Sequence, residues 1–284
     1  MRSVHTVRSV HTVRSVHTVR SVRTVRNVRW ARAGLVIPAW VAIAFLLVPL
    51  AALLVKVDWI AIPAHMTNPI VIPALRLSMV TTSSTLVICA LLGTPLAWLL
   101  ARSTHRATPW LRALVTVPLV LPPVVGGVAL LMAYGREGVV GRVLFDVAGW
   151  SIPFTTVAVV FAEVFVALPF YVLAVEGSMR GLDPRYDGMA ATLGASPWRT
   201  FRTVVVPMVG PGIASGAALA WARALGEFGA TITFAGSFPG RTQTAPLAVY
   251  YLLESDPQAA ISLSLVMLLI SVVILGALRG RWLR

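Results

Sequence analysis

Three ionisable residues, Glu163, Arg223 and Glu227, stand inside otherwise apolar stretches. A charge at the centre of a bilayer costs about 3 kcal/mol or more, so such a side chain faces a cavity or a partner. Arg223 and Glu227 are four apart, which puts them on one helix face at pairing distance, and Glu163 is a second candidate partner. Such a set either lines a path for charged cargo or forms a structural ion pair, and the spacing leaves both open. Just downstream, Thr231, Thr233, Ser237, Arg241, Thr242, Gln243 and Thr244 concentrate hydroxyl, amide and guanidinium donors. These could hold an oxyanion at an external mouth or form a docking surface for a protein.

Other chemistries lack their residues. No Gly-x-x-x-x-Gly-Lys-Ser/Thr loop occurs and Lys56 is the one lysine, so ATP is not hydrolysed by a loop of that kind here. There is no His-Glu-x-x-His, no Cys/His metal spacing and no Gly-x-Ser-x-Gly elbow. The single cysteine, Cys89, excludes an intrachain disulfide.

The elements that must carry these residues are membrane helices. The chain is 57% hydrophobic and 12% charged, and its mean hydropathy is +0.83. Six stretches approach the roughly 20 residues that cross a bilayer: 35–55, 78–101, 113–134, 152–175, 205–228 and 259–278. The fold class expected is all-α and polytopic. A net charge of +14 is explained by the positive-inside rule rather than by nucleic acid. With the N-terminus in the cytoplasm, 18 of the 24 basic residues fall inside; Lys56, Arg76, Arg136, Arg142 and Arg241 fall outside, and Arg223 lies within a span. Both termini are then cytoplasmic. Glu176 falls at the cytoplasmic edge and calls for no special account.

Two spans carry unusual patterns. Pro118, Pro122 and Pro123 with Gly126 and Gly127 break the third, which suits a bent, pathway-lining helix. Gly212, Gly216, Ala220 and Ala224 make a small-residue stripe on the fifth, for a seam between subunits or for packing within one. Residues 1–33 form a basic arm in which Arg-Ser-Val-His-Thr-Val recurs, with valine at every third position. That period fits neither helix nor strand, so disorder is expected, with weak attraction to anionic lipid. It has no apolar core of the kind a signal peptide needs, and the six-residue spacing of His5, His11 and His17 favours no metal site. Residues 34–284 form the membrane domain.

Between the fourth and fifth spans lies a polar segment, 182–207. Asp183-Pro184 reads as a helix start, Gly194 as a stop, Ser196-Pro197 as a second start, and Pro207 as the beginning of the next element. Tyr186, Met189, Ala190 and Leu193 fall on one face of the first short helix; Trp198, Phe201 and Val205 fall on one face of the second. Helices this short are marginal alone, so the pair docks on a partner or lies on the lipid surface.

This segment resembles the coupling loop of ABC importer permeases, whose pattern runs Glu-Ala-Ala, three residues, Gly, then about nine residues to a hydrophobic-Pro ending. Ala190, Leu193, Gly194, Ala195, Phe201 and Pro207 match; Gly188 and Met189 replace the Glu and first Ala, leaving Asp187 as the nearest carboxylate. The resemblance covers roughly residues 70–280. With Leu-Pro-Pro-Val-Val-Gly-Gly at 121–127 and the segments 224–236 and 238–250, the chain resembles the permeases of molybdate importers, related to the sulfate permeases. That likeness implies a type I permease fold in a prokaryotic plasma membrane. It implies a homodimer, two cytoplasmic ATPase subunits that bind ATP and magnesium, and an external oxyanion-binding protein. Transport by alternating access follows, with molybdate as cargo and tungstate beside it. Sulfate or thiosulfate is the nearest alternative; a stand-alone secondary transporter or a membrane enzyme is a more distant one.

Overall fold

The computed structural model describes residues 21–280 except Pro184. Two units are distinguished, residues 1–56 and 57–284. The first contains α1 (Ser21–Lys56), whose stretch Leu35–Lys56 has a mean hydropathy of 2.5. At 1.5 Å per residue its 22 residues reach about 33 Å, enough to cross the roughly 30 Å hydrocarbon layer. Residues 21–33, assigned to the arm from sequence, are helical in backbone. Residues 1–20 of the arm, with the three histidines of the repeat, lie outside the described residues.

The second unit runs α2 (Ile62–Met66), α3 (Val71–Arg102), α4 (Thr108–Val120), α5 (Pro123–Tyr134), α6 (Gly141–Ala148) and α7 (Thr156–Arg180). There follow α8 (Arg185–Thr192), α9 (Pro197–Thr200), a π-helical turn at Phe201–Val205, α10 (Val206–Met208), α11 (Gly210–Leu225), α12 (Gly229–Phe234), α13 (Ala245–Ser255) and α14 (Pro257–Gly280). The fold is all-helical among the described residues. With Leu35–Lys56, α3, α7 and Pro257–Ile274 each meet the length and hydropathy of a span.

The other two expected spans are not single helices. The third is cut at Leu121–Pro122, and α4 and α5 meet at 115°. Pro122 holds an extended ψ of 133° and Pro123 opens α5, so neither the helical ladder nor its axis carries through. The fifth bends by 74° at Val209, between Pro197–Met208 and Gly210–Leu225, and its helix stops at Leu225.

Helix α7 occupies the centre. It packs along α3 and α11, and also against α4, α5 and α12. A helix contacted from several sides buries residues all round, which is why α7, between its polar ends at Thr156 and Ser178–Arg180, is apolar on every face apart from Glu163 and Glu176. The close approach of α3 depends on small residues at Thr81, Thr85, Cys89, Gly93 and Ala97, all buried, while Ala74 and Ser78 serve its contact with α13. On α11 the expected stripe serves the same helix: a Cβ on Gly212 would collide with Ser178, and one on Gly216 would lie 3.2 Å from the Tyr171 carbonyl oxygen. Ala220 and Ala224 are buried in the same core. The stripe therefore packs within one subunit.

Candidate functional site

The 182–207 loop folds as predicted at Asp183, Gly194 and Ser196, whereas the helical run from Pro197 continues through Pro207 to Met208 and the next element begins at Gly210. Asp183 Oδ1 accepts from Arg185 N at 2.9 Å, and Ser196 Oγ accepts from Arg199 N at 3.3 Å. Gly194 has φ +76°. Around it, Ala195 N donates to Ala190 O and Gly194 N to Ala191 O, both at 3.0 Å, the paired bonds of a Schellman ending. The one-face expectation for each helix needs correction. Tyr186, Met189, Leu193 and Trp198 are exposed, whereas Ala190, Phe201 and Val205 are buried. The two short helices divide their apolar residues between the permease core and the outside. Phe201 is clamped by rings, edge-on to Trp98 at 5.7 Å and stacked on Trp198 at 5.5 Å. Asp187 Oδ2 lies 3.1 Å from Arg102 Nε at the end of α3, tying α8 to the membrane body. A side chain at Gly188 would meet nothing within 4 Å, and Pro207 sits inside α10.

An ion cluster centred on Glu176 joins the ends of three helices. Glu176 is buried rather than idle at the membrane edge. Its Oε1 accepts from Arg112 Nε at 2.9 Å and Nη2 at 2.6 Å, and Arg180 Nε lies 2.9 Å away. Arg112 Nη2 also donates to Leu100 O at 3.2 Å, so one guanidinium joins α3, α4 and α7. Arg180 stands four residues from Glu176 and was within reach of local spacing, but Arg112 is 64 residues away and was not.

Within the membrane, Arg223 Nη1 and Glu227 Oε2 pair at 2.6 Å, although Glu227 lies two residues past the end of α11. Glu227 Oε1 accepts from Ala230 N at 2.8 Å and so caps α12. Glu163 takes different partners from the one expected: Thr81 Oγ1 donates to it at 2.8 Å and Thr85 Oγ1 at 2.9 Å. The small polar stripe of α3 was the available signal for this pairing. The two interrupted spans meet near the breaks. A Cβ on Gly229 would lie 2.7 Å from Pro123 Cβ, and one on Gly127 would overlap Thr233 and lie 2.7 Å from Ala230 O. Gly126 lies against Phe165 of α7.

The donor-rich segment is largely inside. Thr231, Thr242, Gln243 and Thr244 are buried, Thr233 Oγ1 donates to Gly229 O at 2.9 Å, and Thr242 Oγ1 accepts from Phe238 N at 2.9 Å. Ala245 N donates to Ser78 Oγ at 2.7 Å, which anchors the start of α13 on α3. Arg241 alone of the expected mouth residues is exposed. Residues 238–244 fold back into the helix assembly, where only the turn tip reaches solvent.

Residues 93–281 match the family described as binding-protein-dependent transport system inner membrane component. A molybdenum transport system permease protein from Mycobacterium tuberculosis is 48% identical over 241 residues, covering 84% of this chain and 91% of the relative. One from Escherichia coli K12 is 38% identical over 210 residues, covering 74% and 92%. A probable sulfate transport system permease protein from Zygnema circumcarinatum is 33% identical, covering 82% of each chain. Among solved structures, a bacterial ABC transporter that imports alginate superposes with a TM-score of 0.70 at 14% identity, over 91% of this chain and 98% of that one. The MetNI methionine transporter gives a TM-score of 0.60 at 16% identity, over 76% and 97%. At those identities the likeness is one of fold, that of type I ABC importer permeases.

Proposed function

Because the chain belongs to the family of inner membrane components of binding-protein-dependent transport systems, we propose that it is the permease of an ATP-driven importer for molybdate and, beside it, tungstate. It works as a homodimer in the plasma membrane of a prokaryote, surrounded by lipid, with both termini cytoplasmic. Separate ATPase subunits bind ATP and magnesium beneath it, and an external binding protein delivers the oxyanion. The observation that carries the mechanism is the 182–207 loop, an ordered pair of short helices with Tyr186, Met189, Leu193 and Trp198 exposed. An apolar surface on a polar loop is stable in water when a protein covers it. The loop is tied to α3 through Asp187–Arg102 and Phe201–Trp98, so a displacement imposed from below reaches the α3/α7 core directly. ATP-driven closure of the ATPase pair moves the loops, and the path alternates between its two sides. In the path the arginine that could hold an oxyanion, Arg223, is already neutralised by Glu227. That suits transient passage, with tight selection left to the external protein. The cargo follows from the molybdenum permease relatives.

The test is uptake of radiolabelled molybdate in cells lacking their own importer and supplied with this permease and its ATPase and binding protein. Accumulation that excess sulfate does not suppress is expected. Sulfate uptake without molybdate uptake would move the assignment to the sulfate permeases.

A further inference from the structure

Two cavities meet at Trp98 where α3 leaves the membrane. One, of about 420 Å³, is a mixed cup, with Arg102, Ser103, Thr104 and His105 as its polar wall and Trp98 and Leu99 as its apolar one. The other, of about 300 Å³, is an apolar slot between Pro95 and Trp98 of α3 and Pro197, Trp198 and Phe201 of the loop. The free valences of the cup are donors. Ala107 N donates to His105 Nδ1, which leaves the imidazole proton on Nε2. Ser103 Oγ accepts from both Thr108 Oγ1 and His105 N, so its own proton is free to donate. Arg102 carries five N–H donors. Asp187 takes one ionic contact at Nε; Nε and Nη2 are both sealed from solvent without a hydrogen-bond partner among the described residues, so Nη1 is the guanidinium nitrogen open to the cup. Asp187 is the one acidic group paired with this arginine, and a single carboxylate leaves guanidinium valence unused.

We infer that the cup and slot bind one anionic phospholipid, its phosphate on Arg102, Ser103 and His105 and an acyl chain in the slot. The polarity is right. From Arg102 back to Pro95 is seven residues of α3, about 10 Å along the helix toward the bilayer interior. A donor cup at the interface with an apolar slot running inward matches an amphiphile, whereas a free oxyanion would use the cup alone. The slot is walled on one side by the coupling loop, so the bound lipid props α9 against α3. The inference rests on the reading that α3 ends in the cytoplasm, and it is independent of the cargo.

The test uses the complete importer, permease with ATPase and binding protein, reconstituted in phosphatidylglycerol–phosphatidylcholine vesicles. Lipid retained after mild extraction is counted by native mass spectrometry. One phosphatidylglycerol per permease chain is expected. Arg102→Ala, and separately the double variant Ser103→Ala/His105→Ala, should each lower retention by about fivefold or more. Asp187→Ala breaks the same tie as Arg102→Ala yet leaves the cup, so its retention should equal or exceed wild type. Size-exclusion elution shows that each variant is folded. Equal retention of phosphatidylcholine, or undiminished retention in the assembled double variant, would overturn the inference. So would displacement by millimolar inorganic phosphate, which would assign the cup to a free anion, or a lipid found only when the ATPase is removed, which would assign it to the ATPase contact. Retention is read without transport, so an importer of another oxyanion gives the same result.

Discussion

Gly188 and Gly194 lie six residues apart in the same loop, and a Cβ added at either meets nothing within 4 Å. They differ in backbone hand: Gly194 has φ +76°, and Gly188 lies within α8 with no positive φ. The cost of a side chain at Gly194 is therefore conformational and not steric against neighbours. An L-residue in the left-handed region costs about 1–2 kcal/mol, so Gly194→Ala shifts the loop equilibrium by roughly tenfold and the β-branched Gly194→Val by more, while Gly194→Asn costs least. Eight-residue α8 has little helical stability in reserve to absorb this. At Gly188 the sign reverses, since Ala in a helix interior gains up to about 1 kcal/mol over Gly. Two readouts apply: stimulation of ATP hydrolysis by the loaded binding protein in the reconstituted importer, and oxyanion uptake. Coupling should fall in the order Asn, Ala, Val at position 194, roughly tenfold or more for Val, and stay at or above wild type for Gly188→Ala. Full stimulation in Gly194→Val, or equal damage from Gly188→Ala and Gly194→Ala, would refute the reasoning.

The Glu176 cluster predicts an asymmetry. Glu176→Ala frees Arg112 and Arg180, whose side chains are 30% and 51% exposed and reach water, so the loss should be about 2 kcal/mol. Arg112→Ala leaves a buried carboxylate with one partner and should lower the melting temperature of the purified complex further; the reverse order in a fluorescence melt would contradict the assignment. Gly127→Leu should abolish assembled permease on size exclusion, because the Thr233 side chain and Ala230 backbone occupy the space a Cβ needs. For topology, Cys89 is buried. Cysteine at exposed Ser196 should react with impermeant thiol reagents from the cytoplasmic side only, and cysteine at Arg241 from outside only; labelling from the opposite sides would invert the proposed orientation.

Punctuation was the legible part of this chain. Asp183, Gly194 and Ser196 announce their caps through local hydrogen bonds, and Pro122-Pro123 announces a break, because each acts on its own backbone within a few residues. Pairings between distant segments were not legible. Charge makes Glu163 a candidate partner for Arg223, but Thr81 and Thr85 reach it because α3 carries a stripe of small residues against α7. Burial of Thr242, Gln243 and Thr244 depends on the bond from Ala245 to Ser78, across 167 residues. A hydrophilic run between apolar stretches looks the same whether it lies on the surface or folds back inside. The face assignment on the coupling loop failed for a related reason: two partners share those helices, and periodicity reports apolarity without saying which partner takes which residue.

The meeting of the two interrupted spans has a consequence for biogenesis. Helices α4 and α5, 13 and 12 residues long, extend about 20 and 18 Å, so neither crosses a bilayer alone. Of the helices that α5 packs against, α7 follows soon after, but α12 begins 106 residues after Pro123. At a synthesis rate of about 5–20 residues per second, the second half of the third span waits on the order of 5–20 s for the segment that buries it. During that interval the carbonyls of Pro118 and Leu119, whose i+4 positions are the donorless Pro122 and Pro123, have no protein cover from α12, and a nascent chain in this state is a substrate for insertion chaperones and membrane proteases. Substitutions in residues 229–234 should therefore shorten the lifetime of the newly made chain before any effect on the finished transporter can be measured.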